Sequence, residues 1–185
     1  SERKMYYLTN NILRSNGYRK YEISNYSKPG KECKHNIGYW QRKEYLGFGI
    51  GAASLYKENR YNNISDINKY IEVLTNNIKE NSINNVGNSS EVENQVNILN
   101  SIVKNLQQLT ERDRMEEFMF LGLRMMEGVS MEKFERYFGK PYMEVYGKVQ
   151  KKMEDKRFLI NDNGYVKLTE FGIDLSNYVM SEFLF

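Results

Sequence analysis

Several residue types are nearly missing from this chain of 185 residues. There is one Cys, Cys33, which excludes an internal disulfide framework and fits a reducing compartment. One thiol also excludes a self-contained iron–sulfur cluster, which needs several thiolates. There is one His and one Trp. No uninterrupted apolar run is long enough to span a bilayer, so the chain is not expected to be an integral membrane protein. Neither sign of charge dominates. Lys+Arg 27 against Asp+Glu 24 leaves +3, which gives no strong pull towards nucleic acid or anionic lipid. The opening Ser1-Glu2-Arg3-Lys4 does not read as a secretory leader. It lacks Met and runs straight into a helical pattern, so the chain is expected to be part of something longer.

The rare residues that are present fall together. His35 and Trp40 lie in Lys34-His35-Asn36-Ile37-Gly38-Tyr39-Trp40, with Cys33 just before them. An imidazole, a carboxamide, a phenol and an indole at this spacing suit metal ligation combined with stacking on a flat ring. A hydrogen-bonded structural histidine among aromatic residues is the competing reading.

In chain order, Glu2 to Asn16 reads as a helix, with Met5, Leu8, Ile12 and Leu13 at helical spacing and Gly17 as a stop. Tyr18 to Ile23 alternates like a strand, and Ser24 to Lys34 reads as a loop. The His35 group would then sit on a loop leaving an α/β strand, where such folds place ligand contacts. The run Tyr45–Ser54 alternates Gly47, Gly49 and Gly51 with bulky residues, and a buried strand is expected there. It is not a phosphate-binding loop pattern. Ala52–Tyr56 and Arg60–Ile64 should pair as a hairpin across Lys57-Glu58-Asn59, and Ser65 should cap a helix. Residues 76–101 shift to Asn, Ser and Glu and read as a linker or insertion, with a helix over Glu91–Leu99 as its one candidate element.

In the second half, Thr110 and Ser130 read as N-caps, Gly139 as a stop and Pro141 as a helix opener. Asp162-Asn163-Gly164 should turn a hairpin, and Thr169 should cap a final helix carrying Phe171, Leu175, Tyr178 and Val179. Three helices, a two-stranded wing and a helix form a winged-helix order. The helix before the wing mixes Glu144, Glu154 and Asp155 with Lys148, Lys151 and Lys152. A packing or lid role is therefore expected, with no nucleic-acid partner.

Taken together, Tyr21-Glu22-Ile23-Ser24-Asn25-Tyr26, Pro29-Gly30, His35-Asn36-Ile37-Gly38-Tyr39-Trp40 and Gly47-Phe48-Gly49-Ile50-Gly51-Ala52-Ala53-Ser54 resemble the C-terminal half of HemW-type proteins. These are radical-SAM haem chaperones related to oxygen-independent coproporphyrinogen III oxidases. Glu116-Glu117-Phe118, Gly122-Leu123-Arg124, Glu127-Gly128-Val129 and Phe134 resemble the small C-terminal domain shared by both groups.

The resemblance implies an α/β (α+β) fold. Residues 1–75 would be the end of a partial TIM barrel and its extension, 76–101 a linker, and 102–185 a mostly helical, winged-helix-like domain. It implies haem binding through the H-N-x-x-Y-W motif. His35 would be the axial iron ligand, Tyr39 and Trp40 ring contacts, and Asn36 an orienting partner. Gly49, Gly51 and Ala53 would lie near the SAM pocket. Cofactors of the full-length parent would be haem, a 4Fe-4S cluster and S-adenosyl-L-methionine. Partners would be haem or another tetrapyrrole, and apo-haemoproteins as recipients. The location would be cytoplasmic, peripheral to the membrane during delivery. The alternative activity is oxidative decarboxylation of coproporphyrinogen III. The 185 residues alone are not expected to be active. Two departures stand out: Ala53 replaces the family's usual His, and the three-cysteine cluster motif is absent.

Overall fold

The computed structural model describes residues 2–83 and 101–185. By packing, the chain forms two compact units: residues 1–43 with 110–185, and residues 44–109. Composition alone suggests boundaries near 75 and 101.

In the first unit, α1 (Glu2–Ser15) ends at Gly17, whose φ of 80° turns the chain as the sequence suggested. The apolar stripe of α1 is not buried by the described residues: Met5, Leu8 and Ile12 are all exposed. The strand expected over Tyr18–Ile23 shrinks to β1 (Arg19–Lys20), which pairs antiparallel with β2 (Tyr26–Ser27) inside the expected loop. After the Pro29-Gly30 turn, α2 (Lys34–Trp40) follows. The His35 group is therefore helical, not a loop leaving a strand. Ile37 and Gly38 are weak helix formers, so tertiary contacts on α2 outweigh local propensity here.

The rest of this unit follows its caps. Helix α4 (Glu111–Gly122) opens with a reciprocal capping box between Thr110 and Asp113. Ser130 caps α5 (Met131–Phe138), and Gly139 closes it in the left-handed region. Pro141 precedes α6 (Tyr142–Asp155). The wing is β7 (Leu159–Asp162) and β8 (Tyr165–Leu168), joined by Asn163-Gly164, both at positive φ. A third strand not foreseen from sequence, β6 (Val129–Ser130), pairs with β8, giving the order β6-β8-β7. The expected final helix is split at Leu175 into α7 (Glu170–Asp174) and α8 (Ser176–Ser181). Phe171 and Leu175 are consequently exposed, while Val179 is buried. The core of the unit gathers Met115, Met119, Leu123, Phe134, Tyr142, Tyr146, Met153, Val166 and Phe183. Phe134 sits at its centre, edge-on to Phe118, Tyr142 and Tyr146.

In the second unit, β3 (Ala53–Tyr56) and β4 (Asn59–Asn63) pair as the expected hairpin. Lys57 and Glu58 turn it, both at positive φ, which matches the twist of the strands. An unforeseen strand, β5 (Val103–Gln108), pairs with β4 and carries one extra residue opposite Arg60–Asn62. Asn105, at φ 55°, accommodates that bulge. Helix α3 (Ile67–Ile83) is capped by Asp66, whose carboxylate accepts the Lys69 N–H at 3.0 Å, not by Ser65. The glycine-rich segment is a loop, not a buried strand. Phe48 is 87% exposed, and Gly49 and Gly51 have φ of 93° and 66°. The helix suggested over Glu91–Leu99 lies outside the described residues.

Candidate functional site

Helix α2 distributes the H-N-x-x-Y-W residues over two stripes. Residues four apart share a face, so His35 lies with Tyr39 and Asn36 with Trp40. His35 is exposed, and its imidazole meets the Tyr39 ring edge-on, centroids 4.7 Å apart at 79°. Asn36, Tyr39 and Trp40 are half-buried. Cys33 stands at the N-cap position of α2, exposed, and its side chain makes no capping hydrogen bond.

Trp40 is held in place by residues that the sequence reading did not assign to the site. The Arg124 guanidinium lies over the indole, 4.3 Å from its centroid. The same guanidinium donates to Glu22 Oε2 at 3.2 Å and faces Ser24 Oγ at 3.4 Å. Glu22 is fully buried, and its other oxygen accepts the Ser24 N–H at 2.8 Å and the Asn25 amide at 2.6 Å. Backbone bonds reinforce this: Ile23 N–H donates to Arg124 O at 3.0 Å, and Met126 N–H to Tyr21 O at 3.1 Å. The Tyr21–Asn25 run is thus docked on the segment after α4. One face of Trp40 is taken by this lock.

A second lock follows Trp40. Arg42, at φ 57°, sends its Nε to Glu117 Oε2 at 2.7 Å, with both side chains more than nine-tenths buried. Its Nη1 reaches Tyr137 Oη at 3.2 Å. The sequence did single out Glu22, Glu117 and Arg124 within motif runs, but their partners are up to 102 positions away.

Beside Trp40 lies a cavity of about 230 Å³, lined among others by Lys43, Phe118, Met125, Ser130 and Lys133. That is smaller than the roughly 300–1,000 Å³ usual for a whole ligand. A larger cleft of about 900 Å³ runs between α1 and α7 and is lined by Tyr6, Tyr7, Arg14, Tyr18 and Lys20. It contains none of the motif residues.

Gly49, Gly51 and Ala53 belong to the other unit. Their loop is pinned by buried side chains. Asn63 donates to Gly47 O at 3.1 Å and Gly49 O at 2.8 Å, and Ser54 Oγ accepts the Gly47 N–H at 2.9 Å. A Cβ on Gly47 would lie 2.2 Å from the Ala53 carbonyl, so the close approach glycine permits here is by the chain itself.

A haem iron needs an accessible imidazole, and exposed His35 meets that requirement. A 4Fe-4S cluster does not fit these residues. The sequence has one Cys, and no group of three His, Cys, Asp or Glu is suitably placed among the described residues.

A helical unit with a three-stranded wing, carrying an H-N-x-x-Y-W helix locked to it by Arg124 and Arg42, defines the class. Residues 109–175 match the HemN C-terminal domain. The chain is 35% identical over 180 residues to heme chaperone HemW of Lactococcus lactis, covering 97% of this chain and 41% of the relative. It is 30% identical over 183 residues to heme chaperone HemW of Bacillus subtilis, covering 99% and 42%. The solved structure of coproporphyrinogen III oxidase (HemN) from Escherichia coli, a radical SAM enzyme, shares the fold. Its TM-score is 0.65 at 13% identity, over 96% of this chain and 39% of that one. Nearly the whole chain is thus similar to part of the HemW-type, coproporphyrinogen III oxidase-like proteins, and residues 109–175 to their C-terminal domain. It spans about two fifths of the length of those relatives. No helix among the described residues is long and apolar enough to cross a membrane.

Proposed function

We propose that this chain is the C-terminal portion of a haem chaperone, which binds haem and passes it to apo-haemoproteins. The observation that carries the reading is the His35–Tyr39 pair: an exposed imidazole with an aromatic ring against it, on a helix fixed at its far end. His35 would be the axial ligand, and Tyr39 and Trp40 would be ring contacts. Asn36 would orient the ligand from the neighbouring stripe. The full-length protein would act in the cytoplasm, meeting the membrane during delivery. Its preceding half would supply a 4Fe-4S cluster and S-adenosyl-L-methionine for radical chemistry. Residues 1–75 would complete that barrel, with Gly49, Gly51 and Ala53 near the SAM pocket, and 102–185 would form the winged-helix-like domain.

The test is a haem titration of the full-length protein. A Soret band should appear on adding haem, and His35→Ala should shift it and weaken binding by at least tenfold. An unchanged spectrum and affinity would remove His35 as ligand. The fold of the oxidase relative favours a second reading, oxidative decarboxylation of coproporphyrinogen III. Turnover of that substrate with reduced cluster and SAM would establish it. Stoichiometric haem binding without turnover would sink it.

A further inference from the structure

Helix α2 has little of its own to hold it together. It is seven residues long, and an isolated helix needs roughly 12–15. None of its residues is fully buried, so core packing does not hold it. Cys33 gives no side-chain cap, no acidic residue stands in the first turn and no basic one in the last. Lys34, at the N-terminus, opposes the helix dipole. Gly38 weakens the helix interior relative to alanine. Its backbone does not demand glycine, since its φ is not positive and an added Cβ would meet only Lys43 Cδ, at 3.7 Å.

What secures α2 lies at its end. Trp40 is its last residue, and the Arg124 guanidinium covers that ring at 4.3 Å. Arg124 is in turn held by the fully buried Glu22. The Arg42–Glu117 pair anchors the chain beyond the helix, at a left-handed residue outside it. Arg124 anchors the helix itself. The His35–Tyr39 contact depends on that conformation. Residues four apart have Cβ atoms about 5–6 Å apart in a helix and lie about 13 Å apart in extended chain. Extended backbone cannot bring the two rings to 4.7 Å.

We infer that Arg124 and Glu22 are positioning residues for the haem site: they act on His35 and Tyr39 by keeping α2 helical. The inference rests on the haem-binding reading above and deepens it by naming what controls that site. Trp40 is turned about 140° around the helix from His35, so the coupling runs through the backbone of α2 and not across a shared surface.

The experiment is a set of haem titrations on the full-length protein. Glu22→Gln/Arg124→Gln removes the cation from Trp40 without stranding a buried charge. Thermal melting should show this double variant folded. Its Kd for haem should rise about tenfold, and its Soret band should move to the position seen in His35→Ala. Adding His35→Ala to it should weaken binding no further, because both changes remove the same ligand. Adding Gly38→Ala instead should recover about fivefold, the factor that this exchange is worth inside a helix. Gly38→Pro, which breaks α2 and leaves Glu22 and Arg124 in place, should match His35→Ala in affinity and spectrum. It carries the test if the double variant does not fold. Unchanged haem affinity in the folded double variant, or in Gly38→Pro, overturns the inference and leaves haem binding intact. Losses that multiply with that of His35→Ala overturn it too, as does a failure of Gly38→Ala to restore binding. If the unaltered protein takes up no haem, the proposed function falls and this inference falls with it.

Discussion

Arg42 and Arg124 are both guanidiniums beside Trp40, but they differ in burial. The Arg42–Glu117 pair is almost sealed from water, whereas Arg124 keeps 23% of its side-chain surface. Removing one member of a buried pair strands the other, at a cost of about 3–5 kcal/mol. Arg42→Met should therefore lower unfolding free energy by about 3 kcal/mol, and Glu117→Leu in the same background should recover most of it. Urea titrations of the two variants and the double variant would measure this. A fully additive result would show that the two side chains do not interact. The residues of the candidate site were legible in the sequence, because His35, Trp40, Asn36 and Tyr39 are rare or clustered there. Their partners were not. Nothing in local spacing says that Arg124 covers Trp40 or that Arg42 reaches Glu117, because these contacts form only once distant segments pack.

Among elements, those with a chemical punctuation mark were the ones sequence could read. Thr110, Ser130, Gly139, Asn163-Gly164 and Thr169 each carry a local hydrogen bond or a left-handed backbone that marks a boundary. Strands β5 and β6 carry no such mark, because a strand's stability comes from its partner and not from its own residues. Helix α2 was misread for a related reason: its polar, glycine-containing sequence is helical through contacts, not propensity. Gly128 shows how tightly the unforeseen strand β6 is held. Its φ is 80°, and a Cβ there would meet the Val166 carbonyl at 2.3 Å. Gly128→Ala should therefore destabilise by about 2 kcal/mol or more, combining backbone strain with a displaced strand. Gly139→Ala, with the same handedness but open space around it, should cost less. Thermal melts of the two variants would separate the contributions.

Over the whole molecule, ionisation sets two limits on stability. At the acid end, Asp113, hydrogen-bonded to Thr110, and Asp162, beside Lys167, are held below the usual carboxylate range. Their contribution is present above the unfolded value near 4 and fades as pH falls through the folded values. Both are exposed, so the effect should be small. At the alkaline end, burial pushes the Tyr142 and Tyr146 phenols far above their ordinary value. The unfolded chain then loses protons first, and stability should fall once pH passes about 10. Tyr142→Phe should flatten that alkaline loss. It should not lower stability at pH 7, because the buried hydroxyl has no partner among the described residues. Melting temperatures from pH 7 to 11.5 would show it. A parallel decline in parent and variant would mean that other groups set the alkaline limit.

The lock over Trp40 has one more consequence. Trp40 is the only indole among 15 tyrosines and 9 phenylalanines, so its fluorescence is a single-site signal. With a cation 4.3 Å above the ring and the ring on the cavity wall, the emission maximum reports directly whether α2 is seated. A haem beside that ring would drain the emission by energy transfer. The chain thus carries its own optical probe, with docking read as a spectral shift and ligand arrival as quenching.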